Sequence, residues 1–168
     1  MACNLQIGDK VQFGSVYRLL KDGAHINAQI TSILENKRVV LFGGPAPFSR
    51  LDTEQALEYA ALSMDFKKYV DDVCGIYCQD AFVMNQFDLH IKKTYPEHSI
   101  TFYGDGDAFF VRNYGLEYDF THQGLSIRSC RYALVLNNQI VEHVALDDYT
   151  EVVDTSASKI LEFLKTAE

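Results

Sequence analysis

Three kinds of side chain in this sequence could carry chemistry: an acidic residue beside a turn, four cysteines and five histidines. The acid is Asp52. It follows an apolar run, Val39-Val40-Leu41-Phe42, and a Gly43-Gly44-Pro45-Ala46-Pro47 turn, at the start of a helical pattern. A carboxylate there can accept from unpaired N–H groups and face the positive end of the helix dipole. Asp52-x-x-Gln55 fits a capping box with Asp52 as the N-cap. The cysteines are Cys3, Cys74, Cys78 and Cys130. Cys74-x-x-x-Cys78 has the look of a redox or metal pair, but it sits in a buried-strand pattern. Residues four apart on a strand stand roughly 13 Å apart, too far for one disulfide or one metal ion. Both read as small core residues. His25, His90, His98, His122 and His143 have no mutual ligand spacing and read as surface or hydrogen-bonded core residues. Asp71-Asp72 and Asp147-Asp148 read as solvated pairs, and Gly104-Asp105-Gly106 has too few glycines for a phosphate loop.

The elements that must position these groups follow from periodicity. Ile7 to Phe13 reads as a short strand or extended entry. Val16–Leu20 and Ala24–Ile30 flank Lys21-Asp22-Gly23, a hairpin signal. Arg38–Phe42 and Val73–Cys78 are short apolar runs of the buried-strand type. Between them, Thr53 to Val70 carries a helical stripe through Ala56, Leu57, Ala60, Ala61 and Met64. A second helix runs from Asp80 to about Lys93, before Tyr95-Pro96. Ser99–Tyr103 is a strand, and Asp107–Tyr114 a short helix stopped by Gly115. Arg131–Leu136 and Gln139–Ala145 form a hairpin over Asn137-Asn138, and Ser156–Lys165 is a closing helix capped by Ser156 or Thr155. Alternating strands and helices followed by a hairpin and a helix predict an α/β sandwich with a mixed central sheet.

Composition narrows the function classes. A chain of 168 residues, 48% hydrophobic, can bury one sizeable core, so residues 1–168 read as one domain. The net charge of −8 disfavours nucleic acid or an anionic membrane, which need a basic surface. There is no basic-then-apolar leader pattern and no apolar stretch near the ~18 residues of a membrane span. Free thiols in such a chain suit a soluble, cytoplasmic protein. The eleven Phe and ten Tyr suit a packed core and a dimer interface.

The turn before Asp52 also carries a resemblance. Phe42-Gly43-Gly44-Pro45-Ala46-Pro47-Phe48-Ser49-Arg50-Leu51-Asp52 resembles the active-site loop of the type 5 (plant type II) peroxiredoxins. That loop reads roughly Phe-Gly-Val-Pro-Gly-Ala-Phe-Thr-Pro-Thr-Cys. Further blocks follow in the family's order: Ile7-Gly8-Asp9, Tyr77 to Met84, Phe102 to Gly106, Tyr114 to Asp119, and Ile127 to Leu134.

The resemblance implies a thioredoxin-like fold with an N-terminal β-hairpin. It also implies thiol-dependent reduction of hydrogen peroxide and alkyl hydroperoxides, by glutathione/glutaredoxin or thioredoxin, without a cofactor. Pro45 would shield the nucleophile, Ser49 would orient the peroxide, and Arg131 would lower the nucleophile's pKa and polarise the O–O bond. Asp52 takes the position of the peroxide-attacking cysteine. A thiolate becomes a sulfenic acid in that step, and a carboxylate has no comparable oxidation. The expectation is therefore a catalytically degenerate member with Asp52 and Arg131 in one shallow pocket. Asp52 would be a structural anion, a mimic of an oxidised cysteine that a partner recognises, or the replacement of a native cysteine. A residual peroxidase would need another thiol, with Cys78 at the C-terminal end of a strand the best placed. Cys130 should face away from its neighbour Arg131. A homodimer through Pro45, Phe48 and the segment near Phe82 is expected from the family's habit.

Overall fold

The computed structural model describes residues 3–167. A seven-stranded sheet runs in the order β2-β1-β5-β4-β3-β8-β9, with a separate two-stranded sheet of β6 and β7. Its strands are β1 (Ser15–Leu19), β2 (His25–Gln29), β3 (Arg38–Gly43), β4 (Asp72–Tyr77), β5 (Ile100–Gly104), β6 (Glu117–Asp119), β7 (Ile127–Ser129), β8 (Arg131–Asn137) and β9 (Ile140–Asp147). The helices are α1 (Ile30–Leu34), α2 (Arg50–Ala61), α3 (Ser63–Phe66), α4 (Ala81–Lys92), α5 (Phe109–Asn113) and α6 (Ala157–Thr166). Pairs β3–β4 and β4–β5 are parallel, while β3–β8, β8–β9 and β1–β2 are antiparallel. This is the thioredoxin-like α/β fold with a mixed central sheet.

The continuous apolar runs of β3, β4 and β8 explain their central places, since strands covered on both faces need apolar residues at every position. Two cores result. Leu41, Cys74, Ile76, Tyr132 and Leu134 fill one face. Val40, Phe42, Ala133 and Val135 fill the other with residues of α2, α4 and α6. Cys74 and Cys78 both belong to the first core, in keeping with small apolar core residues. Because side chains alternate along β8, Cys130 also lies in the first core, while Arg131 turns to the second face, towards α2.

Several sequence expectations need correction. The stripe in α2 is rotated. Asp52, Gln55, Ala56, Tyr59 and Ala60 face inwards, whereas Met64 is 68% exposed and Ala61 is exposed. The buried face has helical spacing, but two of its members are polar, so a purely apolar count missed it. The helix also divides, because Leu62 leaves helical geometry (φ −97°, ψ 11°) between α2 and α3. Residues Ile30–Leu34 form α1 and do not continue β2. The small β6–β7 pair had no strand signal. Ile7 to Phe13 contributes a single bridge, Lys10 to Ile140, and no strand. The last hairpin turns on Asn138-Gln139, one residue later than expected. Both have positive φ (46° and 72°), as a two-residue type I′ turn requires.

Candidate functional site

The site forms where β3 ends and α2 begins. Ser49 (φ −64°, ψ 157°) is the N-cap of α2, and its Oγ accepts from the Asp52 N–H at 3.3 Å. Asp52 is therefore the third helical residue and not the cap. The capping spacing is Ser49-x-x-Asp52, one turn earlier than the sequence suggested, and the Asp52 carboxylate folds back over the helix start. Its Oδ2 accepts from the Ala46 N–H at 3.0 Å and from Ser49 Oγ at 2.9 Å. Its Oδ1 accepts from the Arg131 guanidinium at 2.9 Å. Both partners of this ion pair are shut from solvent, Asp52 at 0% and Arg131 at 1% exposure.

Close packing requires a glycine near the start of the turn, just after β3. A Cβ on Gly44 would overlap Asp52 Oδ1 and stand 2.9 Å from the Arg131 guanidinium. Two residues of β7 and its flank hold the turn in place. Ser129 Oγ donates to Gly44 O at 3.0 Å, and Arg128 donates to Pro45 O at 3.0 Å and to Leu125 O at 2.8 Å.

A buried relay extends behind Arg131. The same nitrogen that meets Asp52 donates to Gln55 Oε1 at 2.9 Å. Gln55 Nε2 donates to Thr155 O (3.2 Å) and Thr155 Oγ1 (3.1 Å), and Thr155 Oγ1 donates to Asp147 Oδ2 at 2.7 Å. Asp147 also accepts from the N–H groups of Val153, Asp154 and Thr155. It is 6% exposed, which corrects the solvated-pair reading. Burial works against its charge, yet the bonds from Thr155, Val153 and Asp154 hold its carboxyl below the ordinary range. Sequence reasoning missed this relay. Gln55, three residues beyond Asp52, was its single visible signal.

Electrostatics at Asp52 differ in sign. Burial pushes its carboxyl above the ordinary value, outweighing Arg131, the Ala46 N–H and the Ser49 hydroxyl. Arg131 Nε is buried with no hydrogen-bond partner among the described residues. Buried polar atoms are seldom left so, and one at this place marks a site not arranged for stability alone.

Above the pair lies a cavity of about 230 Å³. Pro45, Ser49, Asp52 and Arg131 all line it, so the expected four residues share one pocket. Phe120, Leu125 and Tyr149 add apolar walls. Phe48, at φ +70°, turns its ring onto Phe87 and His90 and remains 49% exposed.

The cysteines lie elsewhere. Burial pushes the thiols of Cys74, Cys78 and Cys130 up to about 12 and raises that of Cys3. Of the histidines, His98 has a fully buried side chain, whose Nδ1 accepts from the Ile100 N–H at 3.0 Å.

Comparison with known proteins places this arrangement. Residues 6–161 match the family described as Redoxin. The chain is 30% identical over 163 residues to Peroxiredoxin-2C of Arabidopsis thaliana, covering 95% of this chain and 98% of the relative. The chain belongs to the peroxiredoxin family. Among solved structures it is similar to reduced Prx3 of Vibrio vulnificus in complex with hydrogen peroxide. That match has 26% identity and a TM-score of 0.86 over 97% of this chain and 98% of the other. Peroxiredoxin 5 of Alvinella pompejana shares the fold at a TM-score of 0.82, with 23% identity over 96% and 99% of the two chains. The cavity of this chain has a buried carboxylate–guanidinium pair at its base, with Phe120, Leu125 and Tyr149 among its walls.

Proposed function

We propose that this chain is a peroxiredoxin in which Asp52 stands at the position of the peroxide-attacking cysteine, so that the fold is retained and the peroxidase step is lost. The observation that carries this reading is the saturation of the Asp52 carboxylate. The Ala46 N–H, the Ser49 hydroxyl and Arg131 all end on its two oxygens. Ser49 and Arg131, which the family resemblance assigns to peroxide, are thus turned onto Asp52, while Arg131 Nε stays without a partner among the described residues. The pair is closed to solvent as well. Attack on peroxide needs a thiolate, and burial keeps each of the four thiols above its ordinary value. Cys78, the best-placed alternative, is 7% exposed and pushed up to about 12, which argues against a residual peroxidase through it.

In this reading Asp52 supplies permanently what over-oxidation of a cysteine to its sulfinic acid would supply: an acid with two oxygens at the start of α2, anchored by arginine. That fixes the loop from Pro45 to Arg50 in one arrangement, which a redox-linked partner would recognise. The partner is a second copy of the chain or a protein of the thioredoxin or glutaredoxin type. The exposed rings of Phe48 (49% exposed) and Phe82 (63% exposed) support a homodimer through these residues. Free thiols support a cytoplasmic setting, and the Redoxin match over residues 6–161 supports one redoxin domain over residues 1–168. The test is a coupled assay with hydrogen peroxide and either thioredoxin or glutathione/glutaredoxin as reductant. Background rates are expected with both, and sustained turnover with either would refute the proposal.

A further inference from the structure

A cavity larger than the one at Asp52 lies away from it, at the edge of the sheet. It measures about 350 Å³ and runs beside four consecutive residues of β9, His143 to Leu146, beneath the last turns of α6. A pocket that touches successive residues of one strand lies along its hydrogen-bonding edge, because alternate side chains point to opposite faces. β9 is the last strand of the sheet. Its first residues are covered: Lys10 bridges to Ile140, Gly8 N–H donates to Val141 O, and Val141 N–H donates to Asp9 O. The cover stops there. From Glu142 to Asp147 no backbone group has an outward partner among the described residues.

Such an edge is a template for another strand unless charge, proline or a covering segment blunts it. Here the side chains flanking the edge form a two-faced channel. Val144 and Leu146 pack on the first core and give one face an apolar floor. On the α6 face the His143 ring stacks on Phe163 at 4.3 Å between centroids, with Ala145 next along the strand. Asp154 and Glu162 rim that face, and the single lysine there, Lys159, stands 3.9 Å from Glu162. Glu142, just outside the channel, is already bound by Arg38 at 2.8 Å. One carboxylate more than cations is left on the rim.

We propose that the β9–α6 channel binds an extended peptide segment of a partner protein as an added strand, with apolar and basic residues alternating. Its backbone pairs with the open edge of β9. Its apolar side chains lie over Val144 and Leu146. Its basic side chains lie along Phe163, their stems on the ring and their charges at Asp154 and Glu162.

The test uses the peptide acetyl-Val-Arg-Val-Arg-Val-amide, titrated into isotopically labelled protein and followed by amide NMR. Shifts confined to residues 142–147 and the last turns of α6 are expected. Val-Glu-Val-Glu-Val and the proline-interrupted Val-Arg-Pro-Arg-Val should bind at least tenfold more weakly. The exposed substitutions Asp154→Lys and Glu162→Lys together should weaken the arginine peptide at least tenfold and favour the glutamate one. If the double variant misfolds, which its spectrum would reveal, the glutamate and proline peptides on the unaltered protein decide. The proposal is overturned if the arginine peptide produces no shifts at millimolar concentration, if the proline peptide binds equally well, or if charge reversal in a folded variant changes nothing. Shifts of the same amides on raising protein concentration alone would make a second copy the occupant and would also overturn it.

Discussion

At the scale of single residues, the site is a trade between burial and pairing. Asp52 is charged at a cost, because its raised carboxyl means that the folded state holds a proton more tightly than the unfolded one. A carboxyl raised in the folded state contributes stability that is fully present below its unfolded pKa and is lost as pH rises through the folded value. Asp52→Asn should therefore abolish the fall in stability that the parent shows between about pH 4 and pH 8, although it leaves Arg131 without its counter-charge. Arg131→Leu should do the opposite. It strands the Asp52 charge and should cost about 3–5 kcal/mol near pH 7, less in acid, and less when combined with Asp52→Asn. Urea unfolding of the variants across pH 4–8 checks both signs. A parent whose stability rises from pH 4 to pH 8 relative to Asp52→Asn would show that Arg131 and the loop hydrogen bonds outweigh burial.

At the scale of elements, the turn from β3 into α2 does the positioning, and two of its residues test that claim separately. Ser49→Ala removes the helix cap and one of the donors on Asp52, and should cost about 1 kcal/mol. Gly44→Ala places a methyl group where Asp52 Oδ1 lies and should cost about 1–3 kcal/mol by overpacking. Thermal unfolding measures both. If Gly44→Ala is neutral, the carboxylate does not rest against that glycine.

The same elements show what could be read from sequence. β3, β4, β5, α4 and α6 were legible because each carries one uninterrupted period. α2 was legible as a helix, but its inward face was not. Asp52 and Gln55 lie on that face and satisfy one another through Arg131 and Thr155, contacts about 80 to 100 positions away in sequence. Asp147 was misread for the same reason, since its four hydrogen bonds come from a loop with no pattern of its own. The pairing of Asp52 with Arg131 was reached through the family's blocks, because no local spacing relates residues on different elements.

At the scale of the whole molecule, two features remain to be partnered: the exposed rings of Phe48 and Phe82, and the β9–α6 channel. Sedimentation equilibrium should show a concentration-dependent monomer–dimer exchange that Phe48→Asp and Phe82→Asp, both exposed positions, shift towards monomer. A monomer at every concentration would remove the homodimer.

The measurement that bears most directly on the central claim is made on Asp52→Cys. If the pocket departs from a peroxide-reducing site only in that side chain, the new thiol lies at the start of α2 against Arg131. Its pKa should then fall below the ~8.5 of a free cysteine. Thiolate absorbance titration should show that depression, and the variant should consume hydrogen peroxide where the parent does not. Arg131→Ala in the same background should abolish both effects. A folded Asp52→Cys protein whose thiol titrates near the ordinary value and ignores peroxide would contradict the account.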